Sequence, residues 1–102
     1  MNAEEKVRAA WEWVAVFSPG DGEDHWVVQL ADAEEFIGDN KADVLSDAAA
    51  FTDERLKQVA EIEEEIAIQR EFVMLPLPEH LVYERTWRRL QAIREELRRG
   101  MK

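Results

Sequence analysis

Five glutamates crowd the segment from Ala60 to Glu71, with Arg70 as their one basic neighbour. Carboxylates in this number suit three kinds of chemistry. They could hold a divalent metal ion, pair with cations on a solvated face of the protein, or imitate nucleic-acid phosphates toward a cationic partner. An α-helix would place Glu61, Glu64 and Glu65 within about a third of its circumference. The spacing therefore predicts one acidic helix face.

A metal site needs ligands that converge from more than one element of structure. The last helix predicted below offers Glu84, but no acidic pair lies opposite Glu61 and Glu64. A metal-dependent nucleotide hydrolase with these three ligands is therefore the least favoured hypothesis. Neither histidine has a second histidine or a cysteine at ligand spacing, and no hydrolytic motif surrounds a serine. We expect no metal, no cofactor and no enzymatic activity.

Internal ion pairing is the simplest use of the acidic face. If two helices fold back on each other near Leu77, Arg89 lies beside Glu64, and Arg88 lies beside Glu65. Each exposed pair would contribute up to about 1 kcal/mol and would help to set the register of the helices. Arg88 also follows Glu84 by four residues, in the order that favours an ion pair along one helix.

The charge of the chain favours a protein partner. Residues 1–72 hold 19 acidic and 6 basic residues, whereas residues 73–102 hold 4 acidic and 7 basic residues. Contact with nucleic-acid phosphates needs a cationic surface, which is confined to the last helix. Because an acidic body repels nucleic acids and anionic membranes, we expect a protein partner and no direct contact with nucleic acid or membrane.

The excess of negative charge also suggests a specific role. Small acidic proteins of phages and mobile elements inhibit nucleic-acid-binding enzymes by occupying their cationic clefts. We therefore hypothesise a non-enzymatic inhibitor of anti-CRISPR or anti-restriction type with an acidic decoy surface. The predicted contacts with the partner are Glu61, Glu64, Glu65, Asp43 and Asp47.

The elements that must position these residues predict an α+β fold. Asn2 and Glu5 have the spacing of a capping box for a short first helix. Uncharged β-branched and aromatic residues predict strands at 13–17 and 26–30, and a weaker third strand lies at 35–37. Turn residues separate the first two strands. The first 38 residues are thus expected to form a helix and an antiparallel meander.

Two helices should follow the meander. Asp39 or Asn40 is placed to cap a long acidic helix, which spans 40–73 without an internal proline or glycine. The segment "LPLP" then breaks the helix, because proline cannot occupy a helix interior. The last helix spans 79–100 and should lie antiparallel to the long one. We expect all 102 residues to form one domain.

Helical periodicity predicts which faces of the two helices meet. On the long helix, residues spaced by three or four form a largely apolar stripe: Leu45, Ala49, Thr52, Leu56, Val59, Ile66 and Val73. Glu63 and Arg70 interrupt this stripe. On the last helix the predicted stripe is Val82, Thr86, Leu90, Ile93 and Leu97, flanked by Tyr83 and Trp87.

A second apolar surface motivates the alternative function. Ile68 and Phe72 lie on the acidic side of the long helix, opposite the apolar stripe, and a helix that is apolar on two sides is usually sandwiched. Either the strand hairpin or a second subunit could cover them. A self-associating scaffold protein would use Ile68, Phe72 and Trp87 as its homodimer contact.

The cellular location follows from composition. The chain contains no cysteine, and its N-terminus lacks the basic and apolar regions of a signal peptide. No apolar run reaches the roughly 20 residues that span a bilayer. We therefore expect a cytoplasmic protein.

Overall fold

The computed structural model describes residues 1–20, 25–73 and 79–102. It confirms the predicted α+β fold, with a short helix, a three-stranded antiparallel sheet and two further helices. In chain order the elements are α1 (Ala3–Ala10), β1 (Val14–Phe17), β2 (Trp26–Leu30), β3 (Glu35–Gly38), α2 (Lys41–Val73) and α3 (Glu79–Leu97). The centre of the first predicted turn and the "LPLP" break lie outside the described residues.

Both predicted helix caps are present. The Asn2 side-chain oxygen accepts a hydrogen bond of 2.8 Å from the backbone N–H of Glu5. The Asn40 side-chain oxygen accepts one of 2.8 Å from the backbone N–H of Ala42. Each bond satisfies a donor that the first turn of a helix leaves unpaired. From its cap, α2 continues as one helix to Val73, as expected from the lack of proline and glycine.

The sheet has the strand order β1-β2-β3, and both strand pairs are antiparallel. Val28 lies at the centre of the inner face, between Val16 of β1 and Phe36 of β3. Successive side chains of a strand point to opposite faces of the sheet. The neighbouring row therefore lies on the outer face, and it consists of Phe17, Val27 and Ile37.

The described residues form two compact units, and the prediction of a single domain stays a prediction. The first unit comprises Met1–Glu54 and Arg99–Lys102. Trp11 is fully buried in its core, where its Nε1 donates a hydrogen bond of 2.9 Å to Thr52 Oγ1. The buried core cluster consists of Val7, Trp11, Val28, Leu30, Val44, Leu45, Ala48 and Ala49.

The last residues of the chain belong to this first unit. Gly100 O accepts a hydrogen bond of 2.8 Å from Glu12 N, and Lys102 N donates one of 2.9 Å to Ala10 O. The backbone of Gly100 is left-handed, with φ of 79°, which favours glycine after the end of a helix. The prediction that α3 continues to Gly100 is therefore wrong, and the helix ends at Leu97.

The second unit comprises Arg55–Arg98 and contains the predicted antiparallel hairpin. At one end of the pair, the rings of Phe72 and Tyr83 stack with centroids 4.9 Å apart. At the other end, Arg55 Nη1 donates a hydrogen bond of 3.0 Å to Leu97 O. Because the end of α2 meets the start of α3, the two helices lie antiparallel.

The buried face of α3 matches the predicted stripe only in part, because Leu90 and Leu97 are half-buried as predicted. Thr86 and Ile93 are exposed, whereas Tyr83, Trp87 and Arg94 are half-buried. The helix is rotated so that its two aromatic rings are partly covered. Since an aromatic ring buries more surface than a threonine, its contribution outweighs the apolar period that predicted the stripe.

Candidate protein-binding surface

The acidic residues predicted on the second unit are all exposed. Glu61, Glu64 and Glu65 lie on α2 with their side chains in solvent. Glu65 accepts a hydrogen bond of 3.1 Å from Gln69 Nε2. Among the described residues, Glu61 and Glu64 have no ion pair or side-chain hydrogen bond. Their charges are therefore available to a partner, and their role in binding stays a prediction.

The ion pairs predicted between the two helices are wrong. Arg88 pairs with Glu84 of its own helix, with 2.6 Å between Nη2 and Oε1, as the four-residue spacing predicted. One ion pair that joins the helices is Arg98–Glu63, with 3.4 Å between Nη1 and Oε1. Glu63 can reach α3 because it lies on the otherwise apolar stripe of α2 that was predicted to face the last helix. Arg89 and Glu64 form no ion pair in the part of the chain that the structure describes.

The two other predicted contacts lie in the first unit. Asp43 and Asp47 are exposed one helical turn apart on α2 and form no ion pair with any described residue. The sequence of the first unit contains 14 acidic and 5 basic residues, whereas that of the second unit contains 9 acidic and 8 basic residues. The excess of negative charge therefore lies mainly in the sequence of the first unit, to which Asp43 and Asp47 belong.

The predicted oligomer contact is partly exposed. Ile68 is 46% exposed and Phe72 is 39% exposed, although one face of the Phe72 ring stacks on Tyr83. Trp87 is half-buried and lines a groove between α2 and α3. Of the three predicted contact residues, Ile68 and Phe72 are exposed, and Phe72 also stacks on Tyr83. Trp87 is instead half-buried in the groove.

An apolar surface on the outer face of the sheet was not predicted. Ile37 is 61% exposed and Phe17 is also exposed; both flank the buried Val27 in one row across the three strands. Trp13, which directly precedes β1, is 51% exposed. The sequence could have revealed this row, because alternate residues of a strand point to opposite faces of the sheet. Trp13 and Phe17 are an even number of residues apart, and they alternate with the residues of β1 that face the core.

The groove between α2 and α3 has a volume of about 600 Å³. Its apolar lining includes Ile66, Ala67 and the Trp87 side chain. Polar side chains contribute the rest of the lining: Glu63, Arg70, Glu71, Gln91 and Arg94. The Trp87 Nε1 atom is buried and has no hydrogen-bond partner.

The described residues also bear on metal binding and on membrane insertion. Among the described residues, no group of three or more histidine, aspartate or glutamate side chains could hold a metal ion. The described helices also include none that is both long and apolar enough to cross a membrane. Comparison of the chain with protein-family models, curated proteins and solved structures gives no match.

Proposed function

We propose that this chain is a non-enzymatic cytoplasmic protein that acts by binding a cationic surface of another protein. The observation that supports the proposal is the absence of internal ion pairs at four exposed acids. These residues are Asp43, Asp47, Glu61 and Glu64, and none of them is neutralised by a described residue. Glu65 lies beside Glu61 and Glu64 on α2. Among the described residues, its side chain accepts a hydrogen bond from the neutral side chain of Gln69 and forms no ion pair.

Unpaired surface charge suits recognition more than stability. An exposed ion pair within the protein would contribute at most about 1 kcal/mol, so the fold loses little by leaving these acids unpaired. The same charges attract a partner over about 10 Å at moderate salt and accelerate its association. They also give specificity, because contact with a like-charged protein is unfavourable.

The concrete form of the proposal is an inhibitor of a nucleic-acid-processing machine. Such machines hold the phosphate backbone in a channel lined by lysine and arginine. An acidic protein that occupies the channel competes directly with DNA or RNA. A CRISPR effector or a restriction enzyme is the proposed partner, and the phage or mobile-element origin belongs to the same hypothesis.

A competition experiment tests this function. DNA binding by purified CRISPR and restriction effectors is measured as the protein is added at increasing concentration. We expect inhibition of at least one effector that weakens as the salt concentration rises, because the contact is electrostatic. The double variant Glu61→Lys/Glu64→Lys should lose the inhibition and keep its melting temperature, since neither side chain has an internal partner.

The matched control changes the same amount of charge elsewhere. Glu95 and Glu96 are exposed on α3, outside the proposed surface, and Glu95→Lys/Glu96→Lys should retain the inhibition. Equal loss in both double variants would show that only net charge matters. A large drop in the melting temperature of Glu61→Lys/Glu64→Lys would assign these acids to the fold.

Self-association is the second candidate, and the exposure of Ile68 and Phe72 favours it. Two apolar side chains near the end of α2 would be covered in a homodimer. Sedimentation at micromolar concentration should then show a dimer, and Ile68→Asp should convert it to a monomer. A wild-type protein that sediments only as a monomer would exclude this candidate and leave the first one intact.

A further inference from the structure

The sheet has apolar residues on both of its faces. The inner face carries Val28 and Leu30, which belong to the buried core. On the outer face, Phe17, Val27 and Ile37 form one row across the three strands, and Ile37 is 61% exposed. An apolar sheet face is normally covered by a second layer of structure, and contiguous exposed apolar surface marks a site of interaction. The outer face is therefore a candidate docking surface.

Trp13 extends this surface along the strands. It directly precedes β1, is 51% exposed and lies four residues before Phe17. Four residues of a strand span roughly 13 Å, and the row across three strands spans roughly 10 Å. An α-helix is about 10 Å wide, and two to three of its turns are about as long as the distance from Trp13 to Phe17. The dimensions of the surface thus suit one helix that lies along the strands.

The charge around the outer face is negative. The segment from Ala9 to Asn40 contains eight acidic residues and no lysine or arginine. Four of these acids are exposed and form no ion pair with a described residue: Glu12, Glu34, Glu35 and Asp39. Glu35 lies two residues from Ile37 on β3, so both belong to the outer face. A segment that covers this face would gain from lysine or arginine beside its apolar residues.

Two cations that contact the strands are already engaged within the first unit. Arg8 Nη1 donates a hydrogen bond of 3.2 Å to Val14 O, and Arg8 Nε lies 3.9 Å from Glu4 Oε2. Lys41 Nζ lies 5.3 Å from the centroid of the Trp26 ring. A second copy of this chain would bring the same acidic segment against the face, and contact between like charges is unfavourable. The charge therefore favours a different protein over self-association.

We infer that the outer face of the sheet docks an amphipathic helix of another protein, with apolar residues on one side and lysine or arginine beside them. Its apolar residues would pack on Trp13, Phe17 and Ile37, and its cations would lie near Glu35. An added strand would pair with an edge of the sheet and leave the face uncovered. None of these residues belongs to the acidic surface of the proposed function, so neither inference depends on the other.

Titration with a synthetic amphipathic peptide of leucine and lysine tests this surface. A peptide of about 14 residues forms about four helical turns, which is enough to cover the face. Binding to the full chain is followed by the indole N–H signals in ¹H–¹⁵N spectra, and Trp13→Phe identifies the signal of Trp13. We expect this signal to shift and saturate. A matched peptide with glutamate at every lysine position should bind at least about tenfold more weakly, because the acids repel it.

Variants of the apolar row locate the contact. Phe17→Thr and Ile37→Thr should each weaken binding of the lysine peptide about tenfold, because each removes apolar surface from the contact. Ile93→Thr is the matched control, since Ile93 is 37% exposed on α3 in the second unit. Its dissociation constant should equal that of the wild type. All three side chains are exposed, so the melting temperatures should change little.

Four results would overturn the inference. The first is a Trp13 signal that does not move with the lysine peptide, and the second is equal binding of the glutamate peptide. The third is equal dissociation constants for Ile37→Thr and Ile93→Thr, which would indicate nonspecific attraction of the peptide. The fourth is a wild-type dimer that Ile37→Thr converts to a monomer, which would assign the face to a second copy. No CRISPR or restriction effector enters these measurements, so their failure is distinguishable from failure of the proposed inhibition.

Discussion

Trp11 in the first unit and Trp87 in the second each bury an indole N–H, but only the N–H of Trp11 has a hydrogen-bond acceptor. In the first unit, Trp11 Nε1 donates to Thr52 Oγ1 at 2.9 Å, and the threonine hydroxyl donates onward to Ala48 O at 2.7 Å. In the second unit, Trp87 Nε1 has no partner and its ring lines a groove. The first donor is satisfied within the core, and the second is buried without a partner.

The first unit also has more buried apolar packing than the described part of the second unit. In the first unit, Trp11 stacks on Phe51 with centroids 6.1 Å apart, and Phe51 meets the edge of Phe36 at 5.4 Å. In the second unit, the described buried apolar residues are Val59 and Ile66. A helix pair with so little buried surface depends on its ends, where Arg55 and Phe72 make their contacts. The comparison predicts that equivalent substitutions cost more in the first unit.

The largest effect is expected from Trp11→Ala. The substitution removes a fully buried indole, its hydrogen bond to Thr52 and its stacking with Phe51. Loss of a buried aromatic side chain lowers the free energy of unfolding by about 3–5 kcal/mol. Chemical denaturation followed by circular dichroism measures this loss.

Trp13→Ala provides the control for that experiment. Trp13 lies two residues further along the chain and is 51% exposed, so its removal should change the free energy of unfolding by about 0.5 kcal/mol or less. A cost at Trp13 that equals the cost at Trp11 would contradict the difference in burial between the two indoles.

A smaller loss is expected from Gly100→Ala. Alanine would have to adopt the left-handed backbone at φ of 79°, which costs about 1–2 kcal/mol. Its Cβ would also lie 2.7 Å from backbone atoms of Ala31 and Asp32, and such overpacking costs about 1–3 kcal/mol. We expect a total of about 2–5 kcal/mol in denaturant unfolding.

Gly20→Ala separates the two contributions. Gly20 has a similar φ of 71°, but a Cβ there would meet nothing within 4 Å. Its substitution should therefore show the backbone cost alone, about 1–2 kcal/mol. Equal losses at the two glycines would mean that the chain end adapts to the added methyl group.

Local signals account for the parts of the fold that the sequence predicts. Asn2 and Asn40 cap their helices as expected, because a cap depends on residues within one turn. The strands follow from β-branched residues between turns. Residues spaced by three or four also predicted the buried side of α2, apart from Leu56, which is exposed. Each of these features is specified within a few residues.

The sequence did not predict the features that depend on how two elements contact each other. The rotation of α3 could not be predicted, because Trp87 and Ile93 are both apolar and the choice depends on what α2 presents. The partner of Glu63 follows from that rotation, so Arg98 was missed and Arg89 was wrongly chosen. The groove was signalled only indirectly, by the polar residues Glu63 and Arg70 on an otherwise apolar stripe.

The smallest effect is expected from Trp87→Phe. The substitution removes a buried N–H that has no acceptor, so the lost indole contacts are offset by relief of an unsatisfied donor. The free energy of unfolding should change by about 0.5 kcal/mol or less. The same denaturant titration measures it, and a loss above 2 kcal/mol would show that the second unit relies on this indole.

Trp11→Phe is the matched control, and it makes the comparison between the units quantitative. The same atoms are removed, but Trp11 loses a hydrogen bond and leaves a gap in a fully buried site. We expect Trp11→Phe to cost about 1–3 kcal/mol more than Trp87→Phe, because the first donor is satisfied and the second is not. Equal costs would mean that the surroundings of Trp87 are packed as tightly as those of Trp11.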